Sequence, residues 1–127
     1  MLRALSLAML LAGPSTAGGD APDGATWRAE DIGGRGIADG ARVTLTLNDG
    51  HATGHGGCNT FGGSYEIAEG ALTFGPMRAT RMACAPVLMM TERAVFDALR
   101  AVTGYRIDQT GALLLLAGET VAMRLRR

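Results

Sequence analysis

Short segments in which apolar and polar residues alternate, each ended by turn-forming residues, follow one another from residue 42 to the C-terminus. In residues 42–48 the apolar side chains all fall on one face, which predicts a half-buried strand. The Asn-Asp-Gly sequence at residues 48–50 predicts a tight hairpin turn. Similar reasoning predicts an antiparallel strand that begins near residue 51, strands over residues 63–67, 71–74, 105–108, 113–116 and 121–125, and an extended piece near 77–82. Turns this closely spaced favour an antiparallel meander.

One stretch departs from this pattern and predicts a helix. Its apolar residues are spaced by seven, four and three positions, as on one helix face: Leu88, Val95, Leu99 and Val102. Either Pro86 or Thr91 can start this helix, and Gly104 is placed to end it. The predicted fold is therefore mainly β: a small, barrel-like antiparallel sheet of seven to eight strands, with one α-helix inserted before the last strands.

Length and charge limit the class of protein. With 127 residues the chain is expected to form a single domain, in which Trp27, the only tryptophan, is a core residue. Its basic residues are all arginines, and they balance the acidic residues at a net charge of zero. A neutral chain with no basic stripe lacks the charge needed to hold a phosphate backbone, so no nucleic-acid partner is predicted.

The first residues follow the order of a secretory signal. Arg3 precedes an apolar run over residues 4–12, and a small-residue segment ends at Ala17. We therefore predict a signal peptide over residues 1–17, a flexible lead-in over 18–26 and a domain over 27–127. The apolar run is about half the roughly 20 residues that a bilayer span requires, so no stable membrane insertion is expected. Pro14 stands where a lipoprotein would carry its acylated cysteine, which favours a periplasmic or secreted protein over a lipoprotein.

The two cysteines, Cys58 and Cys84, are predicted to form a disulfide, since exported proteins keep cysteines paired. A pair of buried free thiols is the alternative. Redox catalysis is disfavoured because the chain has no Cys-x-x-Cys motif.

The most distinctive sequence motif consists of two blocks around these cysteines. The first contains Gly57, Cys58, Asn59, Gly63 and Tyr65; the second contains Thr80, Met82, Ala83 and Cys84. With the opening tryptophan, the helix and the closing strands, this order resembles the META domain family, to which HslJ-like heat-shock proteins belong. The resemblance implies a compact β-barrel-like fold with one helix, and an envelope protein linked to heat shock and novobiocin resistance. It implies no catalytic residues.

Two roles are open for the polar residues of these blocks. Asn59 suits a turn beside Cys58, which is a structural role. Alternatively, Asn59, Tyr65 and Arg81 frame a polar site for a ligand or a partner.

Catalytic and metal sites are disfavoured by spacing. His51, His55 and Cys58 lack a fourth ligand for a zinc site, and Ser64 lacks the second glycine of a nucleophile elbow. The acidic pairs Glu66 with Glu69 and Glu92 with Asp97 are read as solvated surface. Three methionines near the second cysteine are read as fillers of core gaps: Met82, Met89 and Met90.

The leading functional hypothesis is a non-enzymatic envelope protein, without metal or cofactor, that contributes to stress tolerance by binding an envelope protein or a small molecule. The alternative is a lipocalin-like barrel that binds a small molecule in its interior. The first predicts a filled barrel with an exposed apolar patch, and the second predicts an internal pocket.

Overall fold

The computed structural model describes residues 21–127, which form a closed antiparallel barrel of eight strands with one helix and one further short strand. In chain order the elements are β1 (Ala25–Ile32), β2 (Val43–Asn48), β3 (His51–Gly56), β4 (Thr60–Ala68), β5 (Ala71–Phe74), β6 (Arg78–Ala79), α1 (Pro86–Ala101), β7 (Gly104–Ile107), β8 (Leu113–Ala117) and β9 (Thr120–Arg126). The ring runs β3-β2-β1-β9-β8-β7-β5-β4, and the pairing of β3 with β4 closes it. The predicted fold class is confirmed. The short β6 pairs with β4 outside the ring.

Two tight hairpins start the meander as the sequence predicts. Asp49 and Gly50 have φ values of 54° and 84°, and Glu69 and Gly70 have 52° and 89°. Two consecutive positive φ values match the twist of the strands that such a turn connects, and glycine adopts them without strain. β4, however, begins at Thr60 and so extends three residues before its predicted start.

The barrel interior is filled by side chains. Along each strand the side chains point alternately inward and outward, so one face packs into the interior. Eight large side chains of the strands are at most 1% exposed: Trp27, Leu45, Leu47, Leu72, Leu113, Leu115, Met123 and Leu125. Close backbone approach is part of this packing, because a Cβ on Gly54 in β3 would lie 2.1 Å from the carbonyl oxygen of Thr44. Leu114 faces the other way, between its cross-strand partners Arg106 and Arg124, and is also buried.

The helix α1 begins at Pro86, whose ring suits the first helical position, and buries Thr91, Val95 and Leu99. The prediction that Gly104 ends the helix is wrong. The helix ends at Ala101, because Val102 adopts an extended conformation. Gly104 is instead the first residue of β7, where a Cβ would lie 3.1 Å from the carbonyl oxygen of Gly70 in the turn before β5. No helix in residues 21–127 has the length and apolar character required to cross a bilayer.

The predictions for the N-terminal region concern residues that lie partly outside the described part of the chain. The signal peptide over 1–17 and the first residues of the lead-in lie outside the described residues. At the end of the lead-in the chain is packed: Trp27 donates its indole N–H to the carbonyl of Pro22 at 3.0 Å, and Pro22 is itself buried. A buried indole N–H needs an acceptor, and the Pro22 carbonyl supplies it.

Candidate functional site

A disulfide between Cys58 and Cys84 links the sheet to the entry of the helix. The two Cα atoms are 5.9 Å apart, and 26 positions separate the residues in sequence. Cys58 lies in the connection from β3 to β4, while Cys84 lies just before α1. The predicted disulfide is confirmed, and so is its position as a tie between helix entry and sheet.

Asn59, next to the disulfide, is 2% exposed and forms hydrogen bonds in three directions. Its backbone N–H and its side-chain amide donate to the two carboxylate oxygens of Glu92 on α1, at 2.6 and 3.0 Å. Its side-chain oxygen accepts bonds from the Thr80 hydroxyl at 2.9 Å and the Met82 N–H at 2.7 Å. One buried amide therefore holds together the β3–β4 connection, the segment before the helix, and the helix.

The structure does not bring Asn59, Tyr65 and Arg81 into one polar site. Tyr65 lies six residues further along the sheet, a distance of about 20 Å for an extended chain. Its hydroxyl donates to Asp23 at 2.8 Å; burial, together with this bond, raises the pKa of the Tyr65 phenol. Arg81 is exposed, next to Met82. Of the three, only Asn59 and Arg81 are close, because the N–H of Met82, the residue after Arg81, donates to the side-chain oxygen of Asn59. The polar groups of Asn59 are occupied by protein partners.

Two of the residues considered for catalysis are neighbours, but among residues 21–127 no hydrogen bond connects their side chains. His51 and Ser64 are direct cross-strand partners on β3 and β4, and both are exposed. The Nδ1 atom of His55 instead lies 3.0 Å from the carbonyl oxygen of Arg42. Ser64 sits within a regular strand, which lacks the strained turn that exposes a nucleophile in an elbow.

The acidic residues Glu92 and Asp97 likewise have separate partners. Glu92 binds Asn59, whereas Asp97 forms an ion pair with Arg100 on the helix surface. In the described part of the chain no group of three or more His, Cys, Asp or Glu side chains is arranged to hold a metal ion.

Four large apolar side chains are exposed, and all lie between residues 82 and 90. Within the described residues these are Met82 (57% exposed), Val87 (47%), Met89 (37%) and Met90 (66%), which we call the methionine patch. A groove of about 240 Å³ adjoins it, between the residue 32–38 segment and the helix, and Val87 and Met90 form part of its wall. The prediction that the three methionines fill core gaps is wrong. Met89 and Met90 lie off the helix face that carries Val95 and Leu99, so the sheet does not cover them.

The comparison that decides the family covers all of the described residues. The profile of the META domain matches residues 21–127. The chain belongs to the META domain family. No curated protein sequence matches it.

Two solved structures resemble this META domain. An NMR structure of a protein from Burkholderia xenovorans is 31% identical, with a TM-score of 0.62, over 81% of this chain and 77% of that one. A second NMR structure is 23% identical, with a TM-score of 0.59, over 80% of this chain and 86% of that one, and shows the fold alone.

Most of the META motif lies in one place. Gly57, Cys58 and Asn59 meet the second block, Thr80, Met82, Ala83 and Cys84, around the disulfide. Gly63 and Tyr65 lie further along β4. Sequence reasoning did not identify Glu92 as the partner of Asn59. A signal was present, because Glu92 follows Leu88 by four positions and precedes Val95 by three, which places an acid on the apolar helix face.

Proposed function

We propose that this META domain protein is a non-enzymatic exported protein of the bacterial envelope that contributes to tolerance of heat or of an antibiotic such as novobiocin by binding a partner protein. The observation that carries the proposal is the methionine patch. Exposed thioether side chains are flexible and polarizable, so they adapt to apolar surfaces of a partner. The absence of a linked catalytic group among the described residues is consistent with a binding role.

The charges around the patch suggest the chemistry of the partner. Arg81 adjoins Met82, Arg93 follows Met89 and Met90 on the helix, and Arg35 lines the neighbouring groove; all three are exposed. Glu92, the acid nearest in sequence, is bound to Asn59. A patch with an apolar centre and cationic surroundings favours an amphipathic partner segment that carries acidic residues.

The alternative of a lipocalin-like barrel requires space inside the ring. Eight large side chains occupy that interior, which is why we propose partner binding ahead of an interior ligand. Export is proposed from the N-terminal sequence pattern, and the family supports an envelope setting.

Export is tested by the mass of the mature protein. We expect the protein recovered from the envelope fraction of producing cells to begin at Gly18, because the small residues at positions 15 and 17 suit signal peptidase. Intact-mass measurement distinguishes this species from the full chain. A full-length protein confined to the cytoplasm would contradict the proposal.

Partner binding is tested by placing charge in the patch. We expect the double variant Val87→Glu, Met90→Glu to lose tolerance of heat or novobiocin to the level of a deletion strain, because a carboxylate buried in an apolar contact is strongly unfavourable. Photo-crosslinking from position 89 is expected to give a discrete adduct in wild type and none in the variant. Cell survival and adduct yield are the measurements.

The control adds a single carboxylate away from the patch. Gln109 is exposed on the β7–β8 connection, so Gln109→Glu is expected to behave as wild type. Thermal unfolding of both variants confirms that they are folded. Equal survival and equal crosslinking in all three proteins would rule out the patch as the working surface.

A further inference from the structure

The barrel has a weak seam between β5 and β7. In the described chain these two strands share a single pair of residues, Ala71 opposite Gly104, whereas β7 and β8 share four. Beyond that pair no strand of residues 21–127 continues along this side of β5, whose other side pairs with β4, and α1 contacts β5. A groove results between the end of β5 and the helix.

This groove is apolar with a cationic rim. It has a volume of about 460 Å³ and is lined by the side chains of Phe74 and Met77 on one wall and Phe96 and Leu99 on the other, with Arg100 beside them. A volume in the range of about 300 to 1,000 Å³ suits a small molecule. The groove is separate from the one beside the methionine patch, since the two share no lining residue.

The edge of β5 adds an unpaired backbone donor. The N–H of Gly75 donates to Ser64 on β4 at 2.9 Å, while the N–H of Leu72 points the other way and donates to Thr103 at 3.2 Å. Because directions alternate along a strand, the N–H of Phe74 points away from β4, as that of Leu72 does. No strand of residues 21–127 pairs with Phe74 on that side. Its N–H is therefore directed to the side of the sheet where the groove lies.

Arg100 is able to accept an anion. Its guanidinium carries five N–H donors, and it forms an ion pair with Asp97 through one nitrogen. Both side chains of that pair are largely exposed, at 70% and 61%, so the pair is weak and a ligand carboxylate can compete with it.

We propose that this groove binds a small carboxylate with a hydrocarbon body, such as a monomeric medium-chain fatty acid. The hydrocarbon chain packs against Phe74, Met77, Phe96 and Leu99, and the carboxylate pairs with Arg100. The planar guanidinium can bind a carboxylate through two parallel N–H···O bonds. This site is independent of the partner surface proposed above, because it involves other residues of the helix.

The test is a titration of ¹⁵N-labelled protein with sodium decanoate below its micelle concentration. We expect amide shifts confined to residues 72–77 and 96–100. Arg100→Gln is expected to weaken decanoate binding about tenfold, as loss of one charged hydrogen-bond partner. Decan-1-ol, which has the same chain and no charge, is expected to bind about equally to wild type and Arg100→Gln.

Arg93 provides the matched control. It lies seven residues before Arg100 on the same exposed face and does not line the groove. Arg93→Gln is therefore expected to bind decanoate as wild type does. The proposal is overturned by an absence of shifts, by shifts centred on the methionine patch, or by equal weakening in both arginine variants. None of these results bears on crosslinking from position 89, so failure here is distinguishable from failure of the proposed function.

Discussion

The double variant Cys58→Ala, Cys84→Ala is expected to lose about 3 to 4 kcal/mol of unfolding free energy. In the chain-entropy model a crosslink that closes a loop of this length restricts the unfolded chain by about that amount. Such a loss is a large share of the total stability of a small domain, which is about 5 to 15 kcal/mol. Urea unfolding followed by the fluorescence of Trp27 provides the measurement, because Trp27 is buried in the core and is the only tryptophan.

Two controls separate the crosslink from the loss of packing at the cysteines. Wild type treated with a thiol reductant is expected to match the double variant, since both lack the covalent link. Met123, a buried sulfur-containing residue away from the disulfide, serves as a packing control through Met123→Leu, for which a cost under about 1.5 kcal/mol is expected. If the double variant were as stable as untreated wild type, the disulfide would have no stabilising role.

The sequence predicts the local parts of this fold well. The turn at Asp49 and Gly50 follows from residue types that accept positive φ, and the helix follows from the spacing of Val95 and Leu99. These features depend on neighbours a few residues apart. The continuous apolar run over residues 113–116 predicts a strand covered on both faces; its first three residues are buried, whereas Leu116 is partly exposed.

Contacts between residues far apart in the sequence could not be predicted from the sequence. Asn59 and Glu92 are 33 residues apart, and no periodicity connects them. The early start of β4 at Thr60 depends on its pairing with β3 and β6, which local propensity does not report. The exposure of Met90 depends on how the helix is rotated against the sheet, and the partly buried acid Glu92 takes part in setting that rotation.

The Asn59 contacts bear on the proposed function because they fix the helix end that carries the methionine patch. Glu92 lies on the helix turn that follows Val87, Met89 and Met90, and its carboxylate is held by two bonds from Asn59. The disulfide holds the chain just before the same turn. The methionine patch is therefore presented on a helix end that is fixed to the sheet by one covalent and several polar contacts. A rigid surface binds a partner with less loss of conformational entropy than a mobile one.

Asn59→Ala is expected to destabilise the protein by about 3 kcal/mol, because it leaves the Met82 N–H and part of the Glu92 carboxylate without partners in a buried setting. The matched control is Asn48→Ala at the only other asparagine. Asn48 is exposed, and a change under about 0.5 kcal/mol is expected there. Urea unfolding measures both.

Asn59→Asp distinguishes the hydrogen-bond role from simple packing. Aspartate keeps the shape of asparagine but replaces the amide donor to Glu92 with a second carboxylate, and like charges at this distance repel. At neutral pH this variant is expected to be less stable than Asn59→Ala. Urea unfolding at neutral pH compares the two variants. If Asn59→Asp were instead at least as stable as Asn59→Ala, Asn59 would act through its volume, and the bonds to Glu92 would not hold the helix.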